Sequence, residues 1–197
     1  MEELKNLFSQ QGKLSKILTD YSTREGQTEM ALDINLAIQE KTSLIIEAGT
    51  GIGKTFAYLA PVLMNGKKTI ISTGTKTLQD QLYNRDLPLL ASVLGRPIST
   101  SLLKGRSNYL CLHRLDDAHS SDKTIVNDLR IINEWKSQTD TGDLSELIGI
   151  SENSGVWPLV TCTNDNCPDP SYDKCYFFKA RKLAQNSDLS VINHHLL

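Results

Sequence analysis

The sequence lacks long hydrophobic runs and a strong excess of charge of either sign. No apolar stretch approaches the roughly 18 residues that a membrane-spanning helix requires, and residues 1–8, MEELKNLF, are acidic where a secretory leader is basic. The formal net charge of the 197-residue chain is −2, which argues against a uniformly basic nucleic-acid-binding surface but does not exclude a local cationic groove. We therefore expect a globular, cytoplasmic protein without a membrane partner.

Cysteine is absent from residues 1–110, and the four cysteines all follow, at Cys111, Cys162, Cys167 and Cys175. In a cytoplasmic protein, such clustering favours a metal centre over a disulfide framework. The spacing, C-x50-C-x4-C-x7-C, supplies four thiolates, which suit a [4Fe–4S] cluster and equally a tetrahedral zinc site. The residues by themselves leave iron and zinc open, with buried unliganded cysteines as a third interpretation.

Hydrophobic periodicity changes along the first half of the chain. The predicted elements are, in chain order, helices over 4–21 and 27–40, a strand over 43–48, a helix over 54–65, a strand over 67–73 and a helix over 76–90. Pro61 is expected to bend or shorten the helix that contains it. Alternation of strands and helices predicts an α/β fold, with a parallel sheet covered by helices.

The segment that opens with LLKGRSNYLC, residues 102–111, lacks this alternation and holds all the cysteines. It contains a single predicted helix, at 123–137, and we expect it to have little apolar core of its own. Strand-like character returns over 189–197. The predicted organisation is an α/β domain over 1–103, a cysteine-rich insertion over 104–178 and a return to the α/β domain over 179–197.

A glycine-rich stretch, EAGTGIGKT at 47–55, follows the apolar run of the first predicted strand. A strand that enters a glycine-rich turn and then a helix is typical of a phosphate-binding P-loop, in which backbone N–H groups face the phosphates. Lys54 would supply charge to the β- and γ-phosphates and Thr55 a hydroxyl for Mg²⁺, whereas Ala48 replaces the first glycine of the strict pattern. The candidate nucleotide-binding residues of the loop are Ala48, Gly49, Thr50, Gly51, Ile52, Gly53, Lys54 and Thr55. The alternative is a glycine-rich turn without a ligand.

Nucleotide binding alone leaves the class of function open. One alternative is a P-loop kinase or other NTPase with a structural zinc site, whose ATP turnover would be indifferent to DNA. Another is a non-catalytic assembly module, which would bind no ATP and would tolerate Lys54→Ala.

Further segments carry a resemblance to a known family. REGQTEM, residues 24–30, resembles the adenine-reading Q motif of superfamily 2 helicases, and TGTKTLQDQL, residues 73–82, resembles their motif Ia. KGRSNYLC at 104–111 and VINHHLL at 191–197 are similar to segments of the XPD-like iron–sulfur helicases, particularly the DinG and YoaA branch. From residue 24 onward, the chain therefore resembles the N-terminal part of an ATP-dependent DNA helicase.

The resemblance implies a RecA-like P-loop domain, with helices on both faces of a parallel sheet, that an iron–sulfur insertion interrupts. It implies that Arg24 and Gln27 hydrogen-bond adenine, and that Lys54 and Thr55 act in ATP hydrolysis with Mg²⁺. The cysteines would hold a [4Fe–4S] cluster, near which Arg106 is expected to donate a hydrogen bond. The residues implied to contact the phosphate backbone of single-stranded DNA are Thr73, Thr75, Lys76 and Gln79. Without the neighbouring motifs, the same stretch is equally well a solvated amphipathic helix after a strand.

For the intact protein, the resemblance implies 5′ to 3′ translocation on single-stranded DNA and unwinding of duplexes in repair or replication. Duplex junctions and replication or repair proteins would be its partners. DDAH, residues 116–119, looks like the DEAH box of such helicases, but it has Asp117 where glutamate is expected and precedes three of the cysteines. We therefore expect the true box and the second RecA-like domain beyond Leu197, and we expect this chain alone to be inactive.

Overall fold

The computed structural model describes residues 1–163, 166–167 and 174–196. Parts of the predicted insertion, 164–165 and 168–173, and the last residue of the predicted C-terminal segment lie outside the described residues. The helices are α1 Glu2–Leu7, α2 Glu25–Glu40, α3 Lys54–Asn65, α4 Lys76–Gln81, α5 Leu87–Leu94, α6 Leu112–Asp117, α7 Lys123–Lys136, α8 Trp157–Val160 and α9 Tyr176–Asn186. The strands are β1 Thr69–Thr73, β2 Thr100–Leu103 and β3 Leu189–Asn193. Within this described part, no helix is both long and apolar enough to cross a bilayer.

The described strands form one parallel sheet in the order β1–β3–β2, which confirms the predicted α/β class. The chain passes from β1 through α4 and α5 to β2, and β3 later enters between the two. Asp188 ties the start of β3 to the start of β2, because its carboxylate accepts from Ser99 N at 3.1 Å and from Ser99 Oγ at 2.7 Å. These two bonds, the side-chain bond first, lower the pKa of Asp188.

The helices α2, α3 and α7 confirm those predicted at 27–40, 54–65 and 123–137. Pro61 lies inside α3, which keeps its full predicted length, so the expected shortening is wrong, whereas the bend stays a prediction. A proline removes only one backbone N–H, and Asn65 Nδ2 donates to the Pro61 carbonyl at 2.8 Å in the last turn. α2 packs against α3.

The helix predicted over 76–90 is present, but it is not uniform. α4 passes into a single π-helical turn, Leu82–Asp86, which leads directly into α5. Pro88, which has no backbone N–H to donate, follows the π-turn directly. The periodicity therefore predicted a continuous helix but not its change of geometry.

Residues 43–48, predicted as a strand, form no strand in the described structure. A strand requires backbone partners on a neighbouring strand, and none of the described strands pairs with this segment. Its apolar side chains remain open, with Ile45 98% and Leu44 44% exposed. The hydrophobic pattern alone cannot predict a strand here, because strand pairing depends on residues far away in the sequence.

The predicted helix over 4–21 is mostly turns, because α1 ends at Leu7. Gly12 lies against the carbonyl oxygens of Asn6 and Leu7, where an added Cβ would overlap both atoms. The chain therefore folds back over α1 instead of continuing the helix, and this return buries Phe8 completely.

The chain divides into two compact units. One holds Met1–Thr100 and Ser187–Val191, and the other holds Ser101–Asn186 with Ile192 and the residues after it. The predicted boundaries near 103 and 178 remain predictions.

The second unit has an apolar core, contrary to the expectation for the cysteine-rich segment. Its buried members are Tyr109, Leu110, Leu115, Leu129, Ile132, Val156, Val160 and Tyr176. α6 and α8 contribute to this core although a single helix was predicted over 104–178, and α9 adds Tyr176 at its start. α6 and α8 have six and four residues, which is too short for a periodic pattern to emerge.

Candidate nucleotide and nucleic-acid site

The glycine-rich loop has the backbone geometry that its composition predicts. Gly51 and Gly53 adopt φ angles of +81° and +85°, in the left-handed region that side chains disfavour. Gly53 is the N-cap of α3, so the first amides of that helix are left without intrahelical partners. Gly49, Thr50 and Gly51 are exposed. The loop is therefore open to solvent and presents backbone rather than side chains.

Lys54 holds the loop in this curved form. Its Nζ donates to the carbonyl oxygens of Ala48 at 2.8 Å and Gly49 at 3.2 Å. The side chain is exposed, and it keeps one positive charge against the concave backbone. An anion at the loop would meet this charge together with the helix N-terminus.

Gln27 reaches the loop from α2. Its Nε2 donates to the Gly53 carbonyl at 2.9 Å, and an added Cβ at Gly53 would overlap that nitrogen and lie 3.4 Å from Arg24 Nη1. The side chain of Gln27 is 2% exposed, and its Oε1 has no hydrogen-bond partner among the described residues. The structure thus brings together the predicted adenine-binding residues and the predicted phosphate loop, and leaves one buried acceptor unsatisfied.

Of the predicted DNA-contacting residues, three lie at the junction of β1 and α4. Thr75 caps α4, with its Oγ1 accepting from Leu78 N at 3.2 Å, and Thr73 Oγ1 donates to the Thr75 carbonyl at 3.3 Å. Thr75 and Lys76 are exposed and Thr73 is half-buried. Gln79 is 0% exposed, so the predicted contact of its side chain with DNA is not available in this conformation.

Sequence reasoning missed Tyr58, which lies one turn after Thr55 on α3. Burial is the main cause that raises the pKa of Tyr58, and the neighbouring Thr55 side chain partly offsets this effect. The negative charge of Asp86 raises it further. The spacing of three residues on a helix was the available signal, since it places two side chains on one face.

In the second unit, three of the predicted metal ligands are neighbours. Cys162 is 4% exposed, and burial is the main cause that raises the pKa of its thiol to about 12. The thiols of Cys111 and Cys167 add to this effect through charge and hydrogen bonds. Cys111 is the N-cap of α6, and its N–H donates to the Val160 carbonyl at 2.8 Å.

Arg106 contacts the cysteine cluster, as expected. Its Nη1 donates to Cys167 Sγ at 3.1 Å, and its guanidinium lies 4.4 Å from the ring centre of Phe177. Cys175 directly precedes α9. Across the described ranges, no three His, Cys, Asp or Glu side chains form a group ready to hold a metal ion.

Residues 24–148 match the family described as DEAD/DEAH box helicase. Because this match covers more than half of the chain, the chain belongs to the DEAD/DEAH box helicase family.

Individual relatives point to a narrower branch of this family. Over 98% of its length, the chain is 49% identical to the ATP-dependent DNA helicase YoaA of Haemophilus influenzae, and over 96% it is 47% identical to YoaA of Escherichia coli. It is also 31% identical to the 3′-5′ exonuclease DinG of Bacillus subtilis over 93% of its length. The resemblance to the YoaA and DinG branch is therefore confirmed. The chain spans 31% of each YoaA relative and 21% of that DinG relative.

Proposed function

We propose that the intact protein is an ATP-dependent DNA helicase that translocates 5′ to 3′ on single-stranded DNA and unwinds duplexes in DNA repair or replication. It would act in the cytoplasm, at duplex junctions and alongside replication or repair proteins. This chain contributes the nucleotide-binding loop, one DNA-contacting motif and a cysteine-rich insertion in a RecA-like domain. The observation that carries the proposal is the contact between Gln27 and Gly53, which joins the Q-motif segment to an open phosphate loop.

Adenine fits the unsatisfied acceptor of Gln27. A buried acceptor without a partner costs about 1–3 kcal/mol, and the adenine amino group is a donor, whereas guanine presents a carbonyl oxygen at the same position. Arg24 is the second adenine contact in this proposal. The discrimination favours ATP over GTP, because GTP would place one acceptor against another.

The triphosphate would lie against the amides of the P-loop, with Lys54 neutralising the β- and γ-phosphates and Thr55 ligating Mg²⁺. The chain's own residues thus bind and orient the nucleotide. A metal-holding carboxylate, a group that positions the attacking water and an arginine finger are also required for phosphoryl transfer. We assign these to the part of the protein beyond Leu197.

DNA contact is proposed at Thr73, Thr75 and Lys76, whose hydroxyl and ammonium groups suit phosphate oxygens. Such contacts hold a strand without reading its sequence. Because the Gln79 side chain is buried, we assign it a role in the packing of α4 instead of a DNA contact.

A [4Fe–4S] cluster is proposed for Cys111, Cys162, Cys167 and Cys175. The neighbouring thiols of the first three supply soft sulfur ligands, and the Arg106 guanidinium offers positive charge beside Cys167. When bound, the cluster would cross-link the segments that carry the cysteines, and it would displace the proton of the Cys162 thiol. Zinc is the alternative occupant of the same donor set.

The ATPase proposal is tested with the full-length protein, by measuring ATP turnover with and without single-stranded DNA. We expect DNA to stimulate turnover and Lys54→Ala to reduce it to background, because the charge on the phosphates is lost. Lys13→Ala, an exposed lysine of the same unit, is the matched control and should behave as wild type. Turnover indifferent to DNA would favour a kinase or small-molecule NTPase, and normal activity of Lys54→Ala would favour an assembly module.

The cluster proposal is tested by anaerobic purification followed by iron, sulfide and zinc analysis. We expect about four iron and four sulfide per chain, with Cys162→Ser lowering both and Ser154→Ala leaving them unchanged. A zinc-only protein would contradict the iron–sulfur assignment.

A further inference from the structure

Phe177 is an aromatic residue of the second unit that the proposed function does not use. It lies in the first turn of α9, half-buried against the apolar core. The centre of its ring lies 4.4 Å from the guanidinium carbon of Arg106. An aromatic face attracts a guanidinium group at this distance because of the negative charge density above the ring. Packing against the core would be served equally well by an aliphatic side chain, whereas this contact requires an aromatic one.

The same guanidinium group donates to one of the proposed metal ligands. Arg106 Nη1 lies 3.1 Å from Cys167 Sγ. An arginine side chain has several rotatable bonds, and holding it in one conformation costs up to about 2 kcal/mol of rotamer entropy. Contact with the Phe177 ring offsets part of this cost and restricts the plane of the guanidinium group. The hydrogen bond to the Cys167 sulfur therefore depends on a side chain that is not itself a ligand.

Tyr109 fixes both members of this pair. Its ring meets the Phe177 ring edge-on, with the centres 5.8 Å apart and the planes at 60°, an arrangement that aromatic pairs favour. Its backbone N–H donates to the Arg106 carbonyl at 3.1 Å, and its hydroxyl accepts from the Lys104 backbone N–H at 3.1 Å. Tyr109 is only 4% exposed. The Phe177 ring and the Arg106 backbone are thus tied to one buried residue.

We propose that Phe177 is a positioning residue for the metal centre, which holds the Arg106 guanidinium in the orientation that donates to the Cys167 sulfur. The inference rests on the proposed [4Fe–4S] cluster. Hydrogen bonds to the ligand sulfurs help to set the reduction potential of such a cluster. A positive donor at a sulfur stabilises the more negative, reduced form, so it raises the potential. It also opposes loss of that ligand from the cluster.

The test measures the reduction potential of the full-length, iron–sulfur-loaded protein by an EPR-monitored redox titration, together with the rate at which a chelator removes iron. Phe177→Leu keeps an apolar side chain but removes the aromatic face. We expect its reduction equilibrium to shift about tenfold towards the oxidised form, which lowers a one-electron potential by about 59 mV, and we expect iron to be released severalfold faster. Phe177→Tyr keeps the ring and should retain the wild-type potential.

Arg106→Gln tests whether Phe177 acts through the guanidinium group. This variant should lower the potential at least as much as Phe177→Leu, and a wild-type potential in it would overturn the inference even if Phe177→Leu fails to fold. In the double variant, Phe177→Leu should have no additional effect, because the group that the ring positions is already gone. Additive effects would show that the ring serves packing alone and would also overturn the inference.

Phe178→Leu is the matched control, since Phe178 is the next residue of α9 and is also half-buried. It should keep the wild-type potential and rate of iron release, and an equal shift in this variant would overturn the inference. A wild-type protein that holds only zinc would contradict the cluster proposal, and the inference with it. An iron–sulfur protein whose potential is unchanged by Phe177→Leu would contradict the inference alone.

Discussion

Gly53 combines three requirements that only glycine satisfies. Its φ of +85° lies in the left-handed region, it caps α3, and it leaves room for Gln27 Nε2. The resemblance to a P-loop predicted its role towards a phosphate. It did not predict that the same position would be in contact with Gln27 of the proposed adenine-binding segment.

Gly53→Ala is predicted to lower the free energy of unfolding by about 1–2 kcal/mol from backbone strain alone, with a further loss from displacement of Gln27. ATP binding should weaken with it. Thermal unfolding and nucleotide titration measure the two effects.

Gly49→Ala is the matched control for stability. Its φ is not positive, and the nearest atom to an added Cβ, Ile52 Cδ1, lies at an ordinary 3.8 Å. Equal stability of the two variants would refute the steric argument for Gly53.

Lys104 has a structural role that its place in KGRSNYLC does not reveal. Its side chain is 2% exposed, and its Nζ lies 2.8 Å from Asp143 Oδ2 and 2.9 Å from Ser145 Oγ. Tyr109 OH accepts from the Lys104 backbone N at 3.1 Å. A buried ammonium is tolerated when it is paired and hydrogen-bonded, so part of this family segment stabilises the second unit from within.

At the scale of elements, α7 shows how a sequence specifies a helix start. Asp122 Oδ1 accepts from Thr124 N at 2.7 Å and from Ile125 N at 3.3 Å. Leu129 and Ile132 lie on the face that is buried in the core. Cap and periodicity agree, and α7 begins where both indicate.

Asp122→Ala is predicted to destabilise the second unit by about 1 kcal/mol, because two helix amides lose their acceptor. Asp122→Asn keeps an acceptor oxygen and should retain most of the stability. Denaturant unfolding compares them, and an equal loss in both variants would show that the cap is not the cause.

The segment 43–48 illustrates the opposite case. The segment is largely apolar and leads into the glycine-rich loop. Ile45 is nevertheless 98% exposed, because no described strand pairs with it. An unpaired apolar segment is a liability in water. Strand formation is therefore not a property of these six residues alone.

At the scale of the whole molecule, the chain belongs to the DEAD/DEAH box helicase family but is much shorter than its YoaA relatives. It matches 31% of the length of its YoaA relatives, and phosphoryl transfer requires groups that its sequence does not supply. In the proposed function, the first compact unit binds the nucleotide and the second holds the [4Fe–4S] cluster.

A polypeptide of residues 1–197 is predicted not to unwind a forked duplex, whereas the full-length protein should do so with ATP. Strand displacement measured with a fluorescent duplex gives the comparison, and circular dichroism confirms that the shorter chain is folded. Unwinding by the shorter chain would contradict the assignment of the missing catalytic groups to the rest of the protein.

The sequence by itself determined the features that depend on neighbouring residues. The glycines of the P-loop, the bounds of α3 and the helix α7 were all predicted, because φ preferences, caps and helical period act over a few residues. The assignment of the four cysteines to one common site, made on their residue type and spacing, stays a prediction.

Only the tertiary structure decided the features that depend on residues far apart. It placed Gln27 against Gly53, turned Gln79 inward, brought Cys162 next to two other thiols and left 43–48 unpaired. It also introduced the π-turn between α4 and α5, which packs against α3. Each outcome is set by packing and pairing between distant segments, and no short stretch of sequence encodes such contacts.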